Sequence, residues 1–264
     1  MKYFHVTGLS AGYGRSRVLS DLSFSLEPNC VMGILGANGS GKTTLIKAIC
    51  GIVPHSGACV LEGEVLEGLS AKQIAKRISY IPQRSGISID LSALDVVLMG
   101  FNPRLGILER PSKAMEATAR QALEQVGLGG LEEKNYLHLS EGQKQLCIFA
   151  RTMVSESRLL LLDEPESALD FQHRHRMLEL IHSWVDQTKG SAIVALHDPI
   201  LALNHCDRLM ILQNGRIPEI LRPRTDSMAH MEGVLSRVYG PVSLHRIRNR
   251  LGKEVLSMLK EDKG

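Results

Sequence analysis

The spacing of hydrophobic positions changes several times along the chain, and each change marks an element. Residues 3–26 alternate apolar and polar positions on either side of Gly12-Tyr13-Gly14, which predicts two antiparallel strands joined by a turn. Val31-Met32-Gly33-Ile34-Leu35 is a short apolar run that predicts a strand, and Leu45-Ile46-Lys47-Ala48-Ile49 leads into a helix. Residues 51–57 break the pattern and are expected to form a loop, with short strands following at Cys59-Val60-Leu61 and Glu64-Val65-Leu66. Ser70 is placed to cap a helix through Ala75. Ile78-Ser79-Tyr80-Ile81 predicts a core strand that ends at Pro82-Gln83.

From Ser85 to about Val154 the period becomes helical. Leu94, Val97, Leu98 and Phe101 recur at helical spacing until Asn102-Pro103 stops that helix. Ser112 caps a second helix carrying Met115, Ala119, Ala122, Leu123 and Val126, which ends near Gly127. Ser140 and Gln143 are spaced as a capping box for a third, with Leu146, Phe149, Ala150 and Met153 on one side. The block reads as a small helical lobe inserted into an α/β core. Strands return at residues 159–162 and 191–196, separated by a helix bearing Met177, Leu178, Ile181 and Trp184. Residues 208–212 followed by Asn214-Gly215 predict a strand and a hairpin turn, and the tail beyond is expected to be helix and loop.

Composition narrows the class. The chain has 264 residues, 44% hydrophobic and 22% charged, as expected for a globular protein with one substantial core or two unequal lobes. A net charge of +3 argues against nucleic acid as a partner, which would call for a clustered basic face. The run His245-Arg246-Ile247-Arg248-Asn249-Arg250 reads as a solvated face, with contact to an acidic partner as the alternative. Cys30, Cys50, Cys59, Cys147 and Cys206 lie far apart with no Cys-x-x-Cys pair, so buried reduced thiols are expected. His173 and His175 are not at helical metal-binding spacing. The N-terminal residues show no apolar signal region, and no apolar run approaches membrane-spanning length, so service to a membrane would go through a partner.

The candidate chemistry starts at Gly36-Ala37-Asn38-Gly39-Ser40-Gly41-Lys42-Thr43-Thr44. Between a strand and a helix this is the context of a phosphate-binding P-loop. Its glycines let consecutive backbone N–H groups point into one concavity, and the helix adds the positive end of its dipole. Lys42 would reach the outer phosphates of ATP, and the Thr43 hydroxyl can ligate Mg²⁺. The apolar strand at 159–162 ends in Asp163 and Glu164, whose exposure at its carboxyl end costs little if they meet a cation or water. Asp163 is the expected Mg²⁺ ligand and Glu164 a candidate base for water. Gln83 and His197 each stand just past a core strand, where open α/β sheets place ligand groups. Tyr13 sits in a glycine-flanked turn, where a plain hairpin tyrosine is an equal reading.

Taken together these stretches resemble the nucleotide-binding subunit of an ABC transporter, over nearly the whole chain. Residues 36–43 look like Walker A, residues 159–164 like Walker B with its adjoining glutamate, and Leu139-Ser140-Glu141-Gly142-Gln143 like the signature motif. Gln83 matches the Q-loop, Ser167-Ala168-Leu169-Asp170 the D-loop, His197 the switch histidine and Tyr13 the adenine-stacking A-loop. Glu141 stands where the family usually has glycine; a helix start tolerates an acid, but a carboxylate near a bound triphosphate would slow turnover. Glu166 stands where a small hydroxyl residue is common.

The resemblance implies a P-loop NTPase (RecA-like) α/β core with an antiparallel β subdomain and an inserted helical subdomain. The expected division is residues 1–84 and 155–225 for the core, 85–154 for the helical subdomain and 226–264 for a C-terminal extension. It also implies two subunits packed head to tail, so that Ser140, Gly142 and Gln143 of one cap the γ-phosphate held by the other, with Asp170 beside them. The P-loop residues Gly36, Asn38, Gly39, Ser40, Gly41, Lys42, Thr43 and Thr44 would hold the nucleotide. Glu164, His197, Lys42 and Gln83 would act in hydrolysis, and Gln83 would sense the γ-phosphate or the metal. Residues 91–100 and Asn102-Pro103-Arg104-Leu105-Gly106, with Leu235-Ser236-Arg237-Val238-Tyr239-Gly240, are similar to importers of iron–siderophore, haem or cobalamin. The partners implied are integral membrane permeases, a second copy of the chain and, indirectly, an extracytoplasmic binding protein, at the cytoplasmic face of the membrane. A soluble ABC-type ATPase of an assembly process, such as iron–sulfur cluster building, is the competing reading.

Overall fold

β1 (Phe4–Tyr13) and β2 (Ser16–Leu26) form the hairpin that their alternation predicts, turning at Gly14 and Arg15. The computed structural model describes residues 3–83, 86–106, 108–167, 169–250 and 252–261; the expected start of the helical lobe at Ser85 and the D-loop residue Ala168 lie outside these. β3 (Val31–Leu35) is buried at all its positions and leads through the glycine-rich turn into α1 (Lys42–Ile49). β4 (His55–Leu61) begins earlier than expected, because the ladder of β1 offers partners to residues assigned to a loop: Ala11 pairs with His55 and Ser10 with Ser56. β5 (Glu64–Val65) completes a sheet in the order β2-β1-β4-β5.

Caps set the next helices. α2 (Ala71–Ala75) starts with a full capping box between Ser70 and Gln73. After β6 (Ile78–Ile81), α3 (Ala93–Leu98) starts with another between Ser92 and Asp95. α3 stays α-helical only to Leu98 and tightens into a 3₁₀ turn over Met99–Phe101, short of the single helix expected to Phe101. There the backbone runs against α5 (below): a Cβ on Gly100 would lie 2.2 Å from the Arg151 carbonyl. α4 (Lys113–Gln125) is capped by Ser112 as expected, and α5 (Glu141–Met153) by Ser140. β7 (Leu159–Asp163), α6 (Phe171–Thr188), β8 (Ser191–Ala195), α7 (Pro199–His205) and β9 (Arg208–Gln213) follow.

The tail differs from the helix and loop expected. It contains β10 (Arg216–Leu221), α8 (Met228–Tyr239) and the hairpin of β11 (Val242–Arg248) with β12 (Glu254–Lys260). Val242 and Leu244 are buried, but the later part of β11 is exposed, and its charge density hides the alternation. The basic run is a solvated strand, on which Arg246 and Arg248 both pair with Glu254 across the hairpin.

Two compact units result, Met1–Glu67 with Ile193–Gly264, and Gly68–Ala192. In the first, β3 runs parallel to β9, with Met32 opposite Arg208 and Leu35 opposite Ile211, and β10 returns antiparallel to β9. Phe4 and Phe24 meet edge to face on the hairpin, 6.1 Å between ring centres. The turn between β9 and β10 has both Asn214 and Gly215 at positive φ, as a two-residue hairpin requires. Its tip seats on β2, where the Ser20 amide donates to the Gly215 carbonyl at 2.9 Å. In the second unit β6 runs parallel to β7, with Ile81 opposite Leu162, and α3, α4 and α5 pack on one another. Met177, Leu178, Ile181 and Trp184 are buried along α6, as their spacing predicts.

Candidate nucleotide-binding site

In the first unit, the turn between β3 and α1 is fixed by glycines that steric contact demands. A Cβ on Gly36 would lie 2.3 Å from the Leu212 carbonyl oxygen and 2.6 Å from Ser40 Oγ, so only glycine fits. Gly41 has φ +106°, and a Cβ there would meet Leu19 at 2.6 Å. Gly41 is the N-cap of α1 and provides no side-chain cap, so the positive end of the helix faces the glycine turn without a side-chain acceptor from its N-cap. Ser40 Oγ is buried with no hydrogen-bond partner. Lys42 is only 5% exposed, and its ammonium folds back to donate to the Gly36 carbonyl at 2.9 Å. Thr43 is half-buried and Thr44 buried, while Asn38 and Gly39 stand exposed at the tip of the loop. A helix start whose N-cap is a glycine, an orphaned hydroxyl and a buried ammonium around one glycine turn fit a polyphosphate.

The same unit holds His197 and Tyr13. The Leu196 amide donates to the Ile34 carbonyl at 3.1 Å, which fixes the exit of β8 beside the strand feeding the glycine turn. His197 comes next and is exposed. Asp198 then caps α7, its Oδ1 accepting from the Ile200 and Leu201 amides. Tyr13 ends β1 half exposed, above an open depression that Arg15, Arg17 and His55 also line.

In the second unit the parallel register of β6 and β7 brings their carboxyl ends level. Gln83, two residues past β6, donates from Nε2 to Glu164 Oε2 at 2.8 Å. Asp163 and Glu164 are 3% and 9% exposed. The expectation that they stand exposed is therefore corrected: burial continues through the end of the apolar strand. A buried acid at a strand end suits a divalent cation, and Glu164 is held in the left-handed region at φ 53°, an unusual conformation for a residue with a Cβ. Glu166, 2% exposed, is also enclosed.

α5 completes this group. Ser140 Oγ accepts from the Gln143 amide at 3.2 Å, and Gln143 Oε1 accepts from the Ser140 amide at 3.1 Å, the capping box its spacing predicts. Glu141 is paired with Lys144 at 2.8 Å, which offsets its charge near the helix start. A Cβ on Gly142 would meet Leu169 at 3.4 Å, an ordinary contact, so the chain's own packing does not require glycine there. Asp170 caps α6: it accepts from the His173 amide at 2.9 Å and the His173 ring at 2.7 Å, and the amide bond foremost holds its carboxyl below the usual range.

One participant escapes the sequence reading. Gln145 lies on the buried side of α5, 7% exposed, and its Nε2 donates to the Gln83 carbonyl at 3.0 Å. The available signal was a polar side chain beside Leu146 and Phe149 on an otherwise apolar stripe.

Comparison with known proteins agrees with this architecture. The profile of the ABC transporter family matches residues 19–167. The chain is similar to the hemin import ATP-binding protein HmuV of Bordetella pertussis, 36% identical over 88% of this chain and 90% of that protein. It is 30% identical to the cobalamin import ATP-binding protein BtuD of Halobacterium salinarum over 83% of this chain, though over only 55% of that longer protein. Among solved structures, a metal-chelate type ABC transporter in an inward-facing conformation matches with a TM-score of 0.84 and 25% identity, covering 100% of this chain and 99% of that one. The α/β P-loop core with an antiparallel β subdomain is the fold these proteins share. Among the described residues no helix is long and apolar enough to cross a membrane.

Proposed function

This chain belongs to the ABC transporter family and is an ATPase, and on that premise we propose that it energises an importer of haem, cobalamin or iron–siderophore through separate permease subunits. The observation that carries the importer reading is the 36% identity to a hemin import ATP-binding protein along 88% of the chain.

In this reading the amides at the start of α1 and the Lys42 ammonium hold the phosphates of ATP, with Gly36, Asn38, Gly39, Ser40, Gly41 and Thr44 shaping the cradle. Tyr13 stacks on the adenine. Thr43, Asp163 and Gln83 are the residues suited to Mg²⁺, which would offset charge on the transferring phosphoryl group. Glu164 takes the proton of the attacking water, and His197 stabilises charge on the γ-phosphate. Gln83 then has two roles, because its side chain holds the base while its backbone is tied to α5. A second copy presents Ser140, Gly142 and Gln143 to the same γ-phosphate, with Asp170 beside them. That Gly142 is not demanded by the chain's own packing supports a role towards a partner.

Residues 1–84 and 155–225 form the catalytic core in this proposal, 85–154 face the permease and 226–264 are an extension. The protein then works at the cytoplasmic face of the membrane, held there by the permease, with cargo delivered by an extracytoplasmic binding protein. Gentle solubilisation of native membranes and capture of the tagged chain tests this. Recovery of a polytopic permease supports the importer; recovery of soluble assembly proteins alone would reject it and leave the ATPase.

A further inference from the structure

A second constellation lies on the antiparallel sheet of the first unit, and nothing in the nucleotide chemistry uses it. His55 opens β4, Cys59 lies four residues on, and Glu67 follows β5. His55 Nε2 is 3.1 Å from Glu67 Oε1 and 3.9 Å from Cys59 Sγ, and the three donor atoms all lie within 4.8 Å of one another. A tetrahedral zinc ion with bonds of about 2.0–2.3 Å spaces its ligand atoms about 3.3–3.8 Å apart. The widest edge therefore has to close by only about an ångström.

The carboxylate supplies an independent observation. Glu67 Oε1 already accepts from the Cys59 amide at 2.7 Å and meets the His55 ring. Its other oxygen, Oε2, is buried and has no hydrogen-bond partner. The bonds to Oε1 would suffice to tie the β5 segment to β4, but they leave Oε2 desolvated without compensation, which native structures avoid. A cation resolves this. Cys59 is fully buried, while the His55 and Glu67 side chains keep 11% and 29% exposure. His55 also lines the open depression beneath Tyr13, which gives an ion a route in.

We propose that His55, Cys59 and Glu67 form a binding site for a divalent transition ion of the zinc class, with a fourth position left for water or another ligand. The mix of imidazole, thiolate and carboxylate selects such an ion over Mg²⁺ or Ca²⁺, which take oxygen ligands. Binding moves the Cys59 thiol proton to solvent and forms the metal–sulfur bond. One thiolate and one carboxylate neutralise the ion, so no net charge is buried.

Cobalt(II) titration of the full-length, nucleotide-free chain tests the site. The expected result is one ion per chain with a thiolate-to-cobalt charge-transfer band, displaced by zinc. Cys59→Ser removes the band, His55→Ala and Glu67→Gln weaken binding on the order of 10²-fold, and Cys147→Ser leaves both unchanged. Circular dichroism establishes that each variant is folded. No charge-transfer band in the native chain, or a band that survives in folded Cys59→Ser, overturns the proposal.

Discussion

The Gln83 side-chain amide and the Glu164 carboxylate are joined by a 2.8 Å hydrogen bond, while the Gln83 carbonyl is held from behind by Gln145 of α5. The acid proposed to activate water is thus tied, through one intermediate residue, to the helix that starts at the signature motif. A shift of α5 is felt at Gln83, and a shift of Gln83 changes what Glu164 can accept.

If Glu164 is the base, Glu164→Gln keeps its size and its neighbour but cannot take a proton. Hydrolysis is expected to fall by about 10²–10⁴-fold while ATP binding persists. Steady-state turnover with a filter-binding assay checks this, and near-normal turnover would remove the base role from Glu164.

Gln145→Leu should loosen Gln83 without touching ATP. The cost in stability is about 0.5–1.5 kcal/mol, from a part-buried hydrogen bond lost. Urea unfolding measures that, and kinetics should show kcat falling more than KM rises. An equal loss in a variant with Gln83 intact and still anchored would mean that α5 acts by another route.

The two glycines Gly36 and Gly142 should part company. Gly36→Ala forces a Cβ to within 2.3 Å of the Leu212 carbonyl and is expected to abolish nucleotide binding and lower stability by about 1–3 kcal/mol. Gly142→Ala meets only an ordinary contact, so the variant should melt like the native chain, bind ATP and yet lose turnover. A Gly142→Ala protein with full ATPase activity would remove this segment from the γ-phosphate.

Thiol chemistry reports on burial. Burial pushes the thiols of Cys30, Cys50 and Cys147 up from 9.0 to about 12, with the Asp207 charge adding to the effect at Cys30. A raised thiol pKa lowers the reactive thiolate, so at pH 8 its share falls about 10³-fold. Iodoacetamide should label these three slowly in the folded chain and rapidly in guanidinium, as mass spectrometry can follow. Fast labelling of Cys30 or Cys147 in the folded chain would contradict their burial.

How much was legible in the sequence depended on how local each signal was. The glycine turn, the cap at Ser70, the capping box at Ser140 and the apolar strands follow from residues within a few positions of one another, and they stand where expected. Gln145 did not stand out, because its partner Gln83 is distant in sequence and its own helix explains it well enough. β11 was hidden because half of it faces solvent with arginines, which blurs a period-2 pattern. The burial of Asp163 and Glu164 was likewise non-local: a strand's end can be read from sequence, but what closes over it cannot.

The first unit is assembled from the two ends of the chain, with Gly68–Ala192 between them. During synthesis β3 and the glycine turn emerge early, but β9 (one of the strands that pair with β3), the Leu212 carbonyl that confines Gly36 and the hairpin tip that seats on β2 all arrive after residue 207. The middle segment is contiguous and has no such wait. A nascent chain therefore lacks the groups that confine its phosphate cradle until the last quarter of the sequence has been made.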